Sequence, residues 1–258
     1  MIELRDQVLR CVLATEAAGN SLDHDAVVAT TAALAELARS GGAAGRVGAV
    51  LLTSDGPSFC TGGNVMAFAA ADDRRAFVHG MAHELHHFIR HLAEAAVPVV
   101  AGVHGWAAGA GMSIACAADI VIGGPGTRFR PAYPSIGFSP DGGMSWTLPR
   151  AIGAARARDL ILTDGVLTGE EAYRVGLLSR LVPDAEVRAE AEQLAHTLAH
   201  GPTSSLARTK RLLWESAGHT LAGHLDAEAA AIAACAASPA GREGVDAFAQ
   251  RRAPDWTR

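Results

Sequence analysis

Lysine is all but missing from this chain: Lys210 is the one lysine among 258 residues. It lies in Thr209-Lys210-Arg211 rather than in a G-x-x-x-x-G-K-[ST] loop, which excludes a Walker-A nucleotide site. Schiff-base or kinase-type lysine chemistry would rest on this single residue, in a segment that reads as a polar helix face. Cysteine is scarce and scattered. Cys11, Cys60, Cys116 and Cys235 form no C-x-x-C, so a reducing compartment and no structural zinc ribbon are expected, and each reads as a small buried hydrophobe. No apolar run approaches the roughly 18 residues that span a bilayer. The stretch at 95–103 is about half that length and contains Pro98. Met1-Ile2-Glu3-Leu4-Arg5 lacks the basic-then-apolar layout of a signal peptide. With 22 basic against 27 acidic residues, the net charge of −5 leaves no polyanion-binding surplus. The expectation is a cytoplasmic protein with no membrane and no nucleic-acid partner.

What is present is a chain with a core: 49% of residues are hydrophobic and 19% charged, a globular balance. The length suits one large domain or two small ones. Apolar runs at 8–14, 47–52, 97–103, 119–122 and 178–182 read as strands, and the continuous ones suit strands covered on both faces. A helix is expected after Ser21 or Asp23, either of which can cap it. Its buried face is read as Val27, Thr31, Leu34, Leu37 and Ala38, and Gly41-Gly42 as its end. Further helices are expected at 74–96 and at about 110–117. Residues 123–143, with Pro125, Pro131, Pro134 and Pro140, read as irregular, and so long a stretch is usually functional. The tail from about 186 is helical and Ala-rich. The whole is an α/β core with a helical cap.

Four patterns carry chemistry. His83-Glu84-Leu85-His86-His87 fits H-E-x-x-H on a helix, with His79, His83, His87 and His91 one turn apart. Zinc held by two such histidines would need a third ligand, for which His91 or Glu94 stands available. The competing reading is a solvated helix face in a chain with 11 histidines. The rest of the chain explains itself without metal, and none is expected. Two glycine loops, one ending in Gly62-Gly63 and one in Gly109-Ala110-Gly111, each follow a buried strand. Such loops let the backbone approach a ligand, and two converging N–H groups can hold an oxyanion. Gly109-x-Gly111 is no dinucleotide fingerprint, because Ile114 occupies the next position of that pattern. The stretch around Ser113 also lacks the final glycine of a nucleophile elbow. Asp141 stands in Ser139-Pro140-Asp141-Gly142-Gly143, where its plain reading is a turn.

Together these segments resemble the crotonase family, the enoyl-CoA hydratase/isomerase superfamily, from about Val8 to the C-terminus. The carrying residues are Phe59-Cys60-Thr61-Gly62-Gly63-Asn64, the run from Val97 through His104-Gly105-Trp106 to Gly111, Ala118-Asp119-Ile120, and Gly137-Phe138-Ser139-Pro140-Asp141-Gly142-Gly143. Leu162-Thr163-Asp164-Gly165, the stretch at 172–178 and Glu243-Gly244-Val245-Asp246-Ala247-Phe248 also fit. The resemblance implies a spiral of β-β-α units over 1–197 and a helical region over 198–258 used in trimerisation. The assembly would be a homotrimer or a dimer of trimers. It implies an acyl-CoA thioester as substrate, a place in fatty acid metabolism, and no separate cofactor. Carried over by position, the Gly63 and Ala110 N–H groups form the oxyanion hole. Ala110 stands where glycine is usual. Gly62 belongs to the same loop, and Asn64 stands where aspartate is usual. Phe248 and Arg251 match positions that help bind the CoA nucleotide, often across a subunit boundary.

The departures shape the chemical expectation. Hydratases of the family use two glutamates; Ser113 and Tyr133 occupy those positions, so ordinary hydration lacks both its base and its acid. Asp141 matches the position where several isomerases keep their acidic residue, and the Pro-Asp-Gly-Gly context is most similar to isomerases of 3-enoyl-CoA and of ring-epoxide phenylacetyl-CoA. The expected reaction is 3-enoyl to 2-enoyl isomerisation with Asp141 as proton shuttle. Ser113 or Tyr133 would orient substrate or a water. The alternatives are another enolate reaction (ring-epoxide isomerisation, atypical hydration, hydrolysis or C–C cleavage) or a non-catalytic acyl-CoA binder. Phe129, Tyr133 and Phe138 either line an aromatic acyl pocket or pack the core.

Overall fold

The structure, a computed structural model, describes residues 2–39 and 47–256. Along the chain the elements are β1 (Ile2–Arg5), β2 (Val8–Val12), α1 (His24–Arg39), β3 (Ala49–Thr53), α2 (Val65–Ala70), α3 (Arg74–Glu94), β4 (Val99–Val103), β5 (Trp106–Ala108), α4 (Ala110–Ala117), β6 (Ile120–Gly123) and β7 (Arg128–Arg130). There follow α5 (Met144–Ile152), α6 (Ala154–Leu162), β8 (Leu167–Thr168), α7 (Gly169–Arg174), β9 (Arg180–Leu181), α8 (Val187–Ala199), α9 (Thr203–Glu215), α10 (Leu221–Ala237) and α11 (Pro239–Ala249).

One sheet runs in the order β1-β2-β3-β4-β6-β9; β1 pairs antiparallel with β2 and every other pair is parallel. The unbroken apolar runs have a direct cause. Every residue of β3 (Ala-Val-Leu-Leu-Thr) and of β4 (Val-Val-Ala-Gly-Val) is buried, because both faces of the sheet are covered. Ala49, Leu51 and Val100 pack against Ala191, Leu194 and Ala195 of α8. On the other face Val50, Leu52, Val99 and Ala101 share a core with Val27 and Leu34 of α1 and with Leu85, Phe88 and Leu92 of α3. Each fully buried Val or Leu contributes roughly 1.5–3 kcal/mol, so these two strands anchor the fold. Gly102 lets α8 close down: a Cβ there would stand 2.9 Å from the Ala191 Cβ. A smaller sheet runs in the order β5-β7-β8, and a parallel bridge between Cys60 and Ala107 ties it to the 59–60 segment that follows β3.

The buried strands and α4 lie where the apolar pattern places them. Asp23, not Ser21, caps α1, its Oδ1 accepting the Ala26 N–H at 3.1 Å. The buried face of α1 uses Thr30 rather than Thr31, and Ala38 is exposed. The Gly41-Gly42 stop lies outside the described residues. Residues 123–143 are not wholly irregular, since they contain β7 and a 3-10 turn at Pro134–Ile136. Cys11 and Cys60 are buried, which pushes both thiols up to about 12, while Cys116 and Cys235 are half-buried.

The division placed at 197/198 falls in the last turn of α8, which belongs to the sheet core. Beyond it α9, α10 and α11 pack on one another, and α10 has no buried residue. Lys210 corrects the expectation of a polar helix face. It is buried, and its Nζ donates to the Leu92 and Val97 carbonyls at 2.7 and 3.2 Å and pairs with Asp119 at 2.8 Å. That lysine pins α9 to the end of α3 and the start of β4. No helix among the described residues is long and apolar enough to cross a membrane.

Candidate active site

Two loops meet beyond the ends of neighbouring segments of the sheet. The Phe59 N–H donates to the His104 carbonyl, the Cys60 N–H to the Trp106 carbonyl, and the Ala108 N–H back to Cys60. That pairing brings Gly62 onto Gly109. Both have positive φ (101° and 53°), and a Cβ on Gly62 would lie 3.2 Å from the Ala108 carbonyl oxygen. Only glycine meets both demands at such a crossing. The Gly62 carbonyl accepts the Leu22 N–H, and the Thr61 N–H donates to Asn20, so the loop is fixed from behind. Gly63 follows, with Phe68 of α2 against it. Ala110 opens α4, so its N–H has no intrahelical acceptor and stands at the positive end of the helix. Asn64 has a structural duty as well: its Oδ1 accepts the Ala67 N–H at 3.2 Å and caps α2.

One turn after Ala110, on the same face of α4, comes Ser113, which is fully buried. Its hydroxyl has three oxygens in reach: the Tyr133 Oη at 3.1 Å, the Asp141 carbonyl at 3.0 Å and the Gly109 carbonyl at 3.3 Å. Tyr133 Oη donates to Asp141 Oδ1 at 2.6 Å. Burial, then the charge of Asp141 and the hydrogen bond to it, push the Tyr133 phenol up, so it stays protonated and acts as donor. Ser113, Tyr133 and Asp141 are therefore brought together as one hydrogen-bonded cluster, with Asp141 half-buried at its outer edge.

The supports of this cluster come from residues with no expected role at the site. Asp164 accepts from Arg130 (Nη2 at 2.6 Å, Nε at 3.1 Å) and from the Ala132 N–H at 2.7 Å, next to Tyr133. Burial opposes the charge of Asp164, but Arg130 and the Ala132 N–H outweigh it and hold the carboxyl below its usual range. Ala132 has φ +63°, which such bracing makes tolerable. His86 accepts the Gly142 N–H on Nε2 at 3.1 Å. The only sequence hint for His86 is that it stands one residue off the i, i+4 histidine series.

The remaining expected site residues divide. Phe138 stacks on Phe68 at 6.2 Å and 22°, with Phe77 edge-on to Phe68, so these rings form an aromatic wall beside Gly63. Phe129 is fully buried in the core. Phe248 on α11 is 88% exposed and Arg251 just after it is exposed, and among the described residues no side-chain contact joins either to the Asp141 cluster. Along α3 the His83 and His87 rings pack edge to face at 4.4 Å, and Arg90 reaches His87 at 3.2 Å. Partial burial, Arg90 and His83 hold His87 below its ordinary value. No group of three or more His, Cys, Asp or Glu among the described residues is placed to hold a metal ion.

The family model described as enoyl-CoA hydratase/isomerase matches residues 4–258. A protein named "Probable enoyl-CoA hydratase" from Rhodobacter capsulatus is 35% identical over 215 residues, covering 83% of this chain and 83% of that one. The 1,2-epoxyphenylacetyl-CoA isomerase of Escherichia coli K12 is 35% identical over 216 residues, covering 81% of this chain and 80% of the relative. The crystal structure of an enoyl-CoA hydratase from Polaromonas sp. JS666 matches with a TM-score of 0.89 at 28% identity, over 99% of this chain and 98% of that one. The glycine loops, the Pro-Asp-Gly-Gly turn and the order of the strands point the same way, and this chain belongs to the enoyl-CoA hydratase/isomerase family of the crotonase superfamily, as an enzyme that processes acyl-CoA.

Proposed function

We propose that the protein isomerises 3-enoyl-CoA thioesters to their conjugated 2-enoyl forms, with Asp141 as the single base. The observation that carries this reading is the Tyr133–Asp141 hydrogen bond of 2.6 Å, together with the buried Ser113 behind it. A neutral phenol orients the carboxylate without neutralising it, and two hydroxyl groups stand where hydration would need an acid and a base. Asp141 removes a proton from C2. The C–H electrons pass into the thioester, giving a dienolate whose oxygen is held by the Gly63 and Ala110 N–H groups. Asp141 then returns the proton to C4, leaving the double bond between C2 and C3. The proton and electrons balance within the substrate, so the CoA thioester is the only small molecule this reaction needs.

In this reading Gly62 shapes the loop that presents Gly63, while Asn64 and Phe138 border the acyl group. Ser113 and Tyr133 hold the base. Phe248 and Arg251, exposed on a single chain, bind the CoA nucleotide at the boundary with a second copy, within a homotrimer or a dimer of trimers. Leu221, Leu225 and Ile232 of α10 are exposed apolar residues that fit such an assembly. The setting is fatty acid metabolism in the cytoplasm. A second reading, isomerisation at an aromatic or epoxide ring, is favoured by the stacked Phe68–Phe138 wall.

The test follows the conjugated 2-enoyl thioester by ultraviolet absorbance, with the wild-type protein and Asp141→Asn side by side. A rise with wild type that falls about 10²–10⁴-fold in the variant supports the isomerase and its base. Thioester binding with no rise moves the reading to ring substrates, and full activity in Asp141→Asn removes Asp141 from the mechanism.

A further inference from the structure

His86 touches the turn that carries Asp141 and nothing in the reaction above uses it. Its Nε2 accepts the Gly142 N–H at 3.1 Å. The turn has little other freedom. Gly142 is at φ +57°, and a Cβ there would come within 2.7 Å of the Ser113 Cβ and 3.1 Å of Leu85. Leu85 and His86 are consecutive residues of α3, so one turn of that helix both packs against and hydrogen-bonds the peptide that follows Asp141. An imidazole nitrogen that accepts carries no proton, so this ring is neutral with its hydrogen on Nδ1. A protonated ring has two donors and no acceptor, and the bond to Gly142 is then lost.

The charged and titratable groups on the elements packed against α3 include His24, Asp25, Glu36 and Arg39 of α1, all exposed; on α3 itself Glu84 and His87 flank His86. Asp141 is in the facing turn, and His83 and Arg90 are one helical turn away on α3, with Arg90 engaged by His87. From α4 comes Ser113, from the 131–138 segment Tyr133, and α2 has no ionisable residue. We propose that His86 is a positioning residue for Asp141: as a neutral acceptor it holds the Gly142 peptide and hence the base, and its protonation releases the turn and slows the reaction. The inference rests on Asp141 being the base. It adds a control seated on α3, outside the base itself.

The experiment follows the Gly142 amide resonance by NMR, together with kcat and KM, across roughly pH 5–8, the range in which histidines change charge. Wild type, His86→Ala and His86→Gln are compared. The amide is expected to titrate with the imidazole in wild type, and kcat to fall on the acid side with KM held within about twofold. His86→Ala should lower kcat at neutral pH about fivefold, the factor of one ordinary hydrogen bond. His86→Gln supplies an oxygen that accepts at every pH; it should recover part of that loss and flatten the acid limb. A Gly142 amide that ignores pH, or an acid limb unchanged in His86→Gln, overturns the proposal. If no 3-enoyl-CoA turns over, the isomerase reading fails by itself, and the amide titration still decides whether His86 holds the turn.

Discussion

Two aspartates stand at opposite ends of α4, and their partners give them opposite characters. Asp119, just past its C-terminal end, accepts the Val99 N–H at 2.8 Å and pairs with the buried Lys210 ammonium at 2.8 Å. All three lysine hydrogens are engaged, two of them by main-chain carbonyls from the end of α3 and the approach to β4. Burial pulls the Lys210 ammonium below its ordinary value and the Asp119 charge works against that. Asp141, packed at the N-terminal end of the helix, has a phenol for a partner and stands half open. A carboxylate paired with a buried cation and a main-chain N–H is a clamp. A carboxylate held by one neutral donor keeps an open side that can meet a substrate. The side chain is the same; what faces it decides whether it holds the fold together or reacts.

The contrast breaks if changes at the two ends have the same kind of effect. The largest effect is expected from Lys210→Met. It leaves the Asp119 carboxylate and two carbonyls without their donor, and should lower unfolding stability by about 3 kcal/mol, at the low end for a broken buried pair because Asp119 is partly exposed. Urea unfolding of the variant measures this, while acyl-CoA binding should stay as in wild type. A loss under about 1 kcal/mol would mean that water already shares the pair. Tyr133→Phe should do the reverse. It removes the hydroxyl that orients Asp141, so turnover should fall roughly tenfold while the thermal midpoint moves by no more than a degree or two. Combined in one chain, the two changes should add, since they share no partner.

That contrast was only half visible in the residues. β3, β4 and α4 are legible because each is an unbroken apolar or small-residue run with turn residues at its ends. β1 is not, because its hairpin turns through Asp6 and Gln7, both at positive φ, without the glycine or asparagine that marks such turns. β5, β7 and β8 are two or three residues long, too short for any period to show. At the site, the glycine loops and Asp141 are local patterns and could be read. Their supports could not: His86 is 56 residues from the peptide it holds, and Asp164 is 32 from Ala132. The burial of Lys210 is hidden in the sequence for a related reason. Two of its three partners are main-chain carbonyls more than a hundred residues away, and a carbonyl has no residue type to betray it.

Asp164 refines the comparison, because it is a clamp that serves the reactive end. It ties Arg130 to Ala132, the residue before Tyr133, so its loss should be felt as both a small destabilisation and a small drop in turnover. Asp164→Asn keeps an oxygen for the Ala132 N–H but loses the charge. Arg130 is partly exposed, so the expected cost at neutral pH is only about 1 kcal/mol. The pH dependence has a definite sign. The folded carboxyl titrates below its ordinary value of 3.8, so its stabilising effect is complete above that value and is lost as pH falls through the lower, folded one. Wild type and Asp164→Asn should therefore differ most at neutral pH and converge below about pH 4, where the unfolded chain's carboxyl is protonated. Unfolding midpoints measured at several pH values decide it. A gap that persists undiminished into strong acid would mean that the shape of the Asp164 side chain, and not its charge, braces Ala132.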